Sequence, residues 1–234
     1  MEKEIKVFVG STPEQLIPSL VLDYSIKKYT NIPSTVTPLY QLDVKHRTPK
    51  NPRSRPRTPF SFQRFFIPSL TDGIAFYMDS DMLVLTDMAP LLDYDFDGAD
   101  GLSAAGMESF DKWADSNYAM LMLDCDNISW NVDSIVNMLD EERLTYEELM
   151  FQFKHAKINA KLGERGQWNS LDYYEKDHTS LLHYTDMGTQ PWKFGGHPLQ
   201  HLWVDHLREA VESGFIDKEL YEEHVSLGYI RNLI

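Results

Sequence analysis

Short unbroken apolar runs and helical apolar stripes alternate along this chain. Ile5-Lys6-Val7-Phe8-Val9 reads as a first strand that stops at Gly10. Ser11-Thr12-Pro13-Glu14-Gln15 then opens a helix, with Thr12 as N-cap, Pro13 at the first helical position and Gln15 closing a capping box. Leu16, Leu20, Val21 and Tyr24 give that helix its stripe, which runs to about Tyr29. Pro18 falls in the first turns, where its missing donor costs least. Val36 to Leu42 is expected to be a second strand, and Pro49, Pro52, Pro56 and Pro59 then break any regular element. Phe60 to Leu70 is aromatic-rich and expected to be helical from about Ser61.

Ile74 to Met78 is an apolar run suited to a strand buried on both faces, and Met82 to Leu85 is a second. Gly98 to Met107 reads as a short strand of small residues, and Tyr118 to Leu123 as another buried strand, ending in Asp124-Cys125-Asp126. Ser129 to Leu139 and Thr145 to Phe153 are expected helices, the latter with Thr145 and Glu148 as a capping box. Leu181-Leu182-His183-Tyr184 is a short strand. Leu199, Leu202, Trp203, His206, Leu207, Ala210 and Val211 form a helical stripe that stops at Gly214, and Asp217 to Leu227 is a last helix. Strands alternating with helices over 234 residues predict one α/β domain, or one with an appended subdomain.

Composition narrows the function. The hydrophobic fraction of 42% and aromatic fraction of 12% are those of a globular protein with a core. No run approaches the ~18 apolar residues of a membrane span, and the charged start Met1-Glu2-Lys3-Glu4-Ile5-Lys6 does not read as a signal peptide, so a cytoplasmic location is expected. A single cysteine, Cys125, excludes a disulfide framework and a cysteine zinc site. A net charge of -14 argues against nucleic acid. The charge is uneven, however: no acid lies between Asp43 and Asp72, where Lys45, Arg47, Lys50, Arg53, Arg55, Arg57 and Arg64 all fall. Such a basic island is either a solvated loop or a means of focusing a small anion such as a phosphorylated substrate.

The chemistry gathers at Asp79-Ser80-Asp81. In locally extended backbone residues i and i+2 point the same way, so the two carboxylates converge. Like charges held that close repel unless a cation sits between them. At the carboxyl end of a central strand, where open α/β sheets put their ligands, that cation is a divalent metal. The same three residues also describe a turn with two solvated aspartates. Of the eight histidines, His183 is the best third ligand, because it follows an apolar strand and precedes the polar stretch Tyr184-Thr185-Asp186-Met187-Gly188-Thr189-Gln190-Pro191-Trp192. A histidine at a strand end equally describes a hydrogen-bonded core residue. Two carboxylates with one imidazole favour Mn²⁺ over Ca²⁺. There is no Gly-x-Gly-x-x-Gly and no Gly-Lys-Ser/Thr, so neither a dinucleotide cofactor nor a P-loop hydrolase is indicated.

Thr58-Pro59-Phe60-Ser61-Phe62-Gln63-Arg64-Phe65-Phe66-Ile67-Pro68, then Phe76-Tyr77-Met78-Asp79-Ser80-Asp81-Met82-Leu83-Val84-Leu85, then His183-Tyr184 and Pro191-Trp192 occur in that order. From Ile5 to about Trp192 the chain resembles the family 8 glycosyltransferases, which have the GT-A fold. The resemblance implies a Rossmann-like α/β fold, with a mixed, mostly parallel central sheet flanked by helices. It implies a single domain over residues 1–234, with 193–234 a C-terminal helical part. It further implies transfer of a hexosyl group from a nucleotide sugar, UDP-linked by expectation, to a glycan, lipid or protein acceptor, with retention at the anomeric carbon. Asp79, Asp81 and His183 would hold Mn²⁺ (or Mg²⁺) against the donor's diphosphate. Val9, Ser11, Thr12, Ser80 and Asn117 would contact the donor, and Arg64 would reach its phosphate or sugar. Many family members carry a lysine where this chain has Gln190, one residue off the usual spacing, so Lys193 or Arg64 is left to supply that charge. Ala119 replaces the glycine of the family's Asn-x-Gly segment, and the family's Asp-Gln-Asp segment near the acceptor is missing. Trp168-Asn169-Ser170-Leu171-Asp172 lies downstream of its place. Asp124, after the second buried strand, is the candidate for polarising the site, or else it caps the next turn.

Two other classes compete. A GT-A protein that binds a nucleotide sugar or carbohydrate without turnover would fit the lysine-to-glutamine departure. A haloacid-dehalogenase-like phosphatase also uses Asp-x-Asp after a strand. There, however, the motif opens the chain, whereas here 78 residues precede it and Asn159-Ala160-Lys161 has no acidic pair behind it.

Overall fold

The computed structural model describes residues 3–109, 112–114 and 118–234. In chain order its elements are β1 (Ile5–Gly10), α1 (Leu16–Tyr29), β2 (Ser34–Pro38), α2 (Ile67–Leu70), β3 (Ile74–Asp79), β4 (Met82–Val84), β5 (Gly101–Ser103), β6 (Gly106–Ser109), β7 (Lys112–Ala114), β8 (Met120–Asp124), α3 (Val132–Asp140), α4 (Tyr146–Met150), β9 (Ile158–Asn159), β10 (Ser170–Leu171), β11 (Leu181–His183), α5 (Gln200–Glu212) and α6 (Lys218–Ser226). Among the described residues the strands form a six-stranded sheet, β2-β1-β3-β8-β5-β9, and a five-stranded one, β4-β11-β10-β6-β7. In the larger sheet β1 pairs in parallel with β2 and β3, and β5 with β9, while β8 runs antiparallel to both β3 and β5. The result is a mixed, mostly parallel sheet in one α/β domain, with helices on its faces.

The central strands are buried on both sides, as their unbroken apolar runs predict, and successive residues divide between two cores. Phe8, Ala75, Tyr77, Leu121 and Leu123 face Phe62, Phe65 and the inner sides of α3 and α4. Val7, Val9, Phe76, Met78, Met120 and Met122 face Leu22 and Ile26 of α1 and the β4 side of the second sheet. A third core joins Ile17 and Val21 of α1 to Leu83, Leu182, Tyr184, Trp192 and the apolar faces of α5 and α6.

Several expected elements change form. The buried residues of α1 are Ile17, Pro18, Ser19, Val21, Leu22, Ser25 and Ile26, with only Val21 shared with the expected stripe, because this helix is covered on two sides and its buried face is broad. Pro38 lacks a donor and ends β2 early, and Leu39–Gln41 becomes a 3-10 turn where strand was expected. Over 61–70 the chain forms a 3-10 turn, Gln63–Phe66, and then the short α2, with Pro68 lacking a donor in its first turn. The strand expected over 98–107 is two, β5 and β6, which lie in different sheets. No helix of the described residues is long and apolar enough to cross a membrane.

Candidate active site

The site forms where the chain leaves one sheet for the other. Asp79 ends β3 beside Gly10 of β1, Ser80 and Asp81 turn, and β4 begins the second sheet at Met82. Extended i, i+2 geometry therefore does not bring the carboxylates together; a turn does. It is held by Ser80 N–H donating to Gly10 O at 3.3 Å and Asp79 N–H donating to Ala119 O at 3.2 Å.

His183 arrives through strand register. β11 pairs antiparallel with β4, placing His183 opposite Met82, and Tyr184 N–H donates to Asp81 O at 2.9 Å. One ligand atom each from Asp79, Asp81 and His183 then lie within 4.8 Å of one another. His183 Nε2 is 3.1 Å from Asp81 Oδ1, a buried oxygen with no hydrogen-bond partner besides this ion pair. The other ring nitrogen, Nδ1, is 3.1 Å from Asn169 Oδ1, which can only accept. That fixes the Nδ1–H tautomer and turns the Nε2 lone pair toward the aspartates, the outer-shell arrangement of metal-bound imidazoles. A carboxylate oxygen whose one partner is the imidazole, a second carboxylate and a correctly turned imidazole make a donor set that fits a divalent metal.

The electrostatics agree. Burial pushes the Asp79 carboxyl above its ordinary value against the pull of Arg64, and the like charge of Asp81 pushes the same way. Burial would depress His183, but the charges of Asp81 and Asp79 carry it upward. Two half-buried acids share the one positive charge that His183 can offer.

The cluster opens onto a cleft of about 470 Å³. Its walls include Gly10, Thr12 and Gln15 on one side, Arg57 to Phe60 on another, and Gln190, Trp192, Lys193 and Tyr229 on a third. A cavity of similar size, about 450 Å³ between α5, α6 and the chain end, gathers no comparable set of ligand atoms.

The expected residues are only partly at this surface. Thr12, Asp79, Ser80, Asp81, Gln190 and Lys193 line the cleft. Val9 and Ser11 are fully buried behind its wall. Arg64 is buried too, and both terminal nitrogens of its guanidinium are occupied: Nη1 donates to Tyr118 O at 3.0 Å and Nη2 to Tyr77 Oη at 2.9 Å. Asn117 lies outside the described residues. Asp124 is displaced outright: because β8 is antiparallel to β3, Asp124 pairs with Ile74, at the opposite end of β3 from Asp79. There it accepts from Asn127 Nδ2 at 2.7 Å, the role of a turn residue. Gln190 is buried, with Nε2 at 3.4 Å from Asp81 Oδ2 and 3.5 Å from Tyr184 O, so it steadies the acid rather than adding charge.

Three residues that sequence reasoning gave no role stand at the site: Asn169 carries His183, Tyr77 carries Asp79, and Tyr229 lines the cleft. Of the basic island, Arg57 lines the cleft as well. Asp172 is a fourth residue given no role, tying down the loop after β11 by accepting from Thr185 N–H at 2.9 Å and Asp186 N–H at 3.1 Å. It also accepts from His197 Nε2 at 2.9 Å, while Leu199 N–H donates to His197 Nδ1 at 3.0 Å. Tyr77 was legible only as a residue two positions before Asp79, and Asn169 only as a polar residue beside an apolar tryptophan.

No protein-family profile matches the chain. Among curated proteins it is similar to Protein CDI of Arabidopsis thaliana, 34% identical over 96 residues that cover 39% of this chain and 37% of that protein, well under two thirds of its length. Among solved structures it is similar to the galactosyltransferase LgtC in complex with donor and acceptor sugar analogs, with a TM-score of 0.59, 11% identity and coverage of 94% of this chain and 100% of that one. The bifunctional glycosyltransferase WbbM gives a TM-score of 0.59 at 11% identity, over 95% of this chain and 52% of that one. The glycosyltransferase GlyE of Streptococcus pneumoniae TIGR4 gives 0.51 at 16% identity, over 97% of this chain and 64% of that one. The fold is that of the GT-A glycosyltransferases.

Proposed function

We propose that this protein is a metal-dependent glycosyltransferase, similar to family 8, that moves a hexosyl group from a UDP-sugar to an acceptor hydroxyl with retention. The observation that carries the reading is the convergence of Asp79, Asp81 and His183, with both acids lining a cleft and the imidazole as the one partner of Asp81 Oδ1. The whole of residues 1–234 acts as one transferase domain, with the part from 193 onward its helical portion. Asp79, Asp81 and His183 hold Mn²⁺ or Mg²⁺, which supplies positive charge where the departing diphosphate becomes negative. A protein of net charge -14 would otherwise repel such a donor. The nucleoside lies along Gly10 and Thr12, with Val9 and Ser11 supporting that wall from behind. Ser80 faces the sugar end, and Asn117 is kept as a donor-contacting residue. Lys193, exposed at the rim, takes the electrostatic role that Gln190 cannot, and Arg64 acts through Tyr77.

In the reaction the bond from the anomeric carbon to the diphosphate oxygen breaks, and the acceptor oxygen bonds to that carbon on the same face. The acceptor proton passes to the departing diphosphate, so no enzymic nucleophile is needed. Burial of Gln190 against Asp81 also favours a second reading, binding of a nucleotide sugar without turnover. A thermal-shift panel of nucleoside diphosphates with and without Mn²⁺, followed by hydrolysis of UDP-hexoses, separates the two. Metal-dependent stabilisation by UDP together with hydrolysis or transfer supports the enzyme. Stabilisation alone supports the binder, and no response to any nucleotide overturns both.

A further inference from the structure

Tyr77 is fully buried, yet its hydroxyl is the meeting point of three parts of the fold. It donates to Asp79 Oδ1 at 2.6 Å and accepts from Arg64 Nη2 at 2.9 Å, with the Arg64 guanidinium 4.2 Å from the centre of its ring. The third part is β1. A Cβ at Gly10 would overlap the Tyr77 hydroxyl and lie 2.9 Å from Cζ, so only a residue without a side chain leaves room for it there. A phenol hydroxyl has only one proton to donate. Arg64 fixes where that proton goes: its N–H groups point at the phenol oxygen and at Tyr118 O, which leaves Asp79 as the one acceptor.

We infer that Tyr77 is a positioning residue for Asp79, with Arg64 behind it and Gly10 making room for it, and that this buried relay presents the free oxygen of Asp79 to the metal. The inference rests on the metal-binding reading above and goes beyond it. One oxygen of Asp79 is taken by the phenol, so the carboxylate offers the metal a single oxygen at a fixed rotamer. The guanidinium also puts positive charge behind the acid pair without entering the cleft. Arg64 therefore serves the site through a hydrogen bond, a role different from direct contact with the donor.

The test is calorimetric titration of Mn²⁺ into the metal-free protein, alone and with saturating UDP. Tyr77→Phe, which removes only the hydroxyl, is expected to weaken Mn²⁺ binding about 10- to 100-fold, the usual effect of losing an outer-shell partner. Gly10→Ala, which pushes the ring from the other side, is expected to weaken it as well, and it carries the test if Tyr77→Phe does not fold. In turnover assays the Mn²⁺ concentration for half-maximal rate should rise while kcat at saturating Mn²⁺ recovers. A merely structural defect would depress kcat at every metal concentration. Unchanged Mn²⁺ affinity in folded Tyr77→Phe, or in folded Gly10→Ala where only that variant folds, overturns the inference and leaves the metal site standing. Failure of the unaltered protein to bind Mn²⁺ under either condition removes both.

Discussion

Asp79-Ser80-Asp81 follows β3, and Asp124-Cys125-Asp126 follows β8, the strand paired beside it. Both patterns come after an apolar run, and both put two acids around one small residue. Because the strands are antiparallel, the two patterns end at opposite edges of the same sheet. At the first, a turn into the second sheet brings in His183, Gln190 and a cleft. At the second, the acids are used up in the chain's own turns: Asp124 accepts from Asn127, and Asp126 Oδ1 accepts from Gly73 N–H at 2.8 Å. Spacing along the chain is the same in both places. What differs is whether a third ligand crosses from elsewhere and whether the acids face a cleft or close the chain's own turns.

The strongest way to break that comparison is to exchange the acids for amides at each end. Asp81→Asn should abolish the Mn²⁺-dependent thermal shift and lower turnover by about 10²-fold or more, while Asp126→Asn should leave both unchanged. A metal response lost equally in both variants would mean that the two ends are not distinct.

A smaller effect is expected from Asn169→Ala, which removes the acceptor that orients His183. Mn²⁺ affinity should fall about 10-fold or somewhat more, and a buried N–H left unpaired should cost about 1–3 kcal/mol in chemical unfolding.

Neither acid pair should dominate loss of stability in mild acid; His155 should. Its two ring nitrogens are buried without partners among Phe65, Trp130 and Phe153, and burial pushes it from 6.5 down to about 4. The unfolded chain binds this proton more readily than the folded one, so the stability is complete above pH 6.5 and is lost as pH falls from 6.5 toward 4. Between pH 7 and pH 5 that amounts to about 2 kcal/mol. His155→Phe should flatten the denaturation midpoint across that interval, and an unaltered slope would assign the sensitivity elsewhere.

The mildest readout concerns Cys125 at the second end. Burial and then the charges of Asp124 and Asp126 push its thiol up to about 12. Iodoacetamide at pH 8 should leave it unmodified in the folded protein and alkylate it in denaturant, as intact mass would report. Rapid labelling of the folded chain would show that this end is open after all.

The fold was legible wherever a pattern depends on near neighbours. The buried runs of β3 and β8, the Thr12–Gln15 and Thr145–Glu148 caps and the stop at Gly214 are local matters of sterics and hydrogen bonding, and they appear as expected. Misreadings occurred where proline ended an element early, at Pro38, and where one helix is covered from two sides, at α1. In the candidate site, Asp79, Asp81 and His183 could be named from the chain because apolar runs lead directly into them. Asp124 takes the second of its two expected roles, that of a turn residue, and the sequence left the choice open because a buried strand does not reveal which way it runs.

By itself, the sequence determined which segments are buried, what caps and breaks them, and which acids and imidazole stand at strand ends. The tertiary structure decided which strand ends share an edge. It set the β4–β11 register that carries His183 to Asp81, the antiparallel turn of β8 that takes Asp124 away, and the space over Gly10 that the Tyr77 hydroxyl fills. The physical reason is range. Burial and capping are settled within a few residues, but strand direction and register are chosen by cores assembled from residues far apart in the chain, and a site made at their junction exists only once those cores have closed.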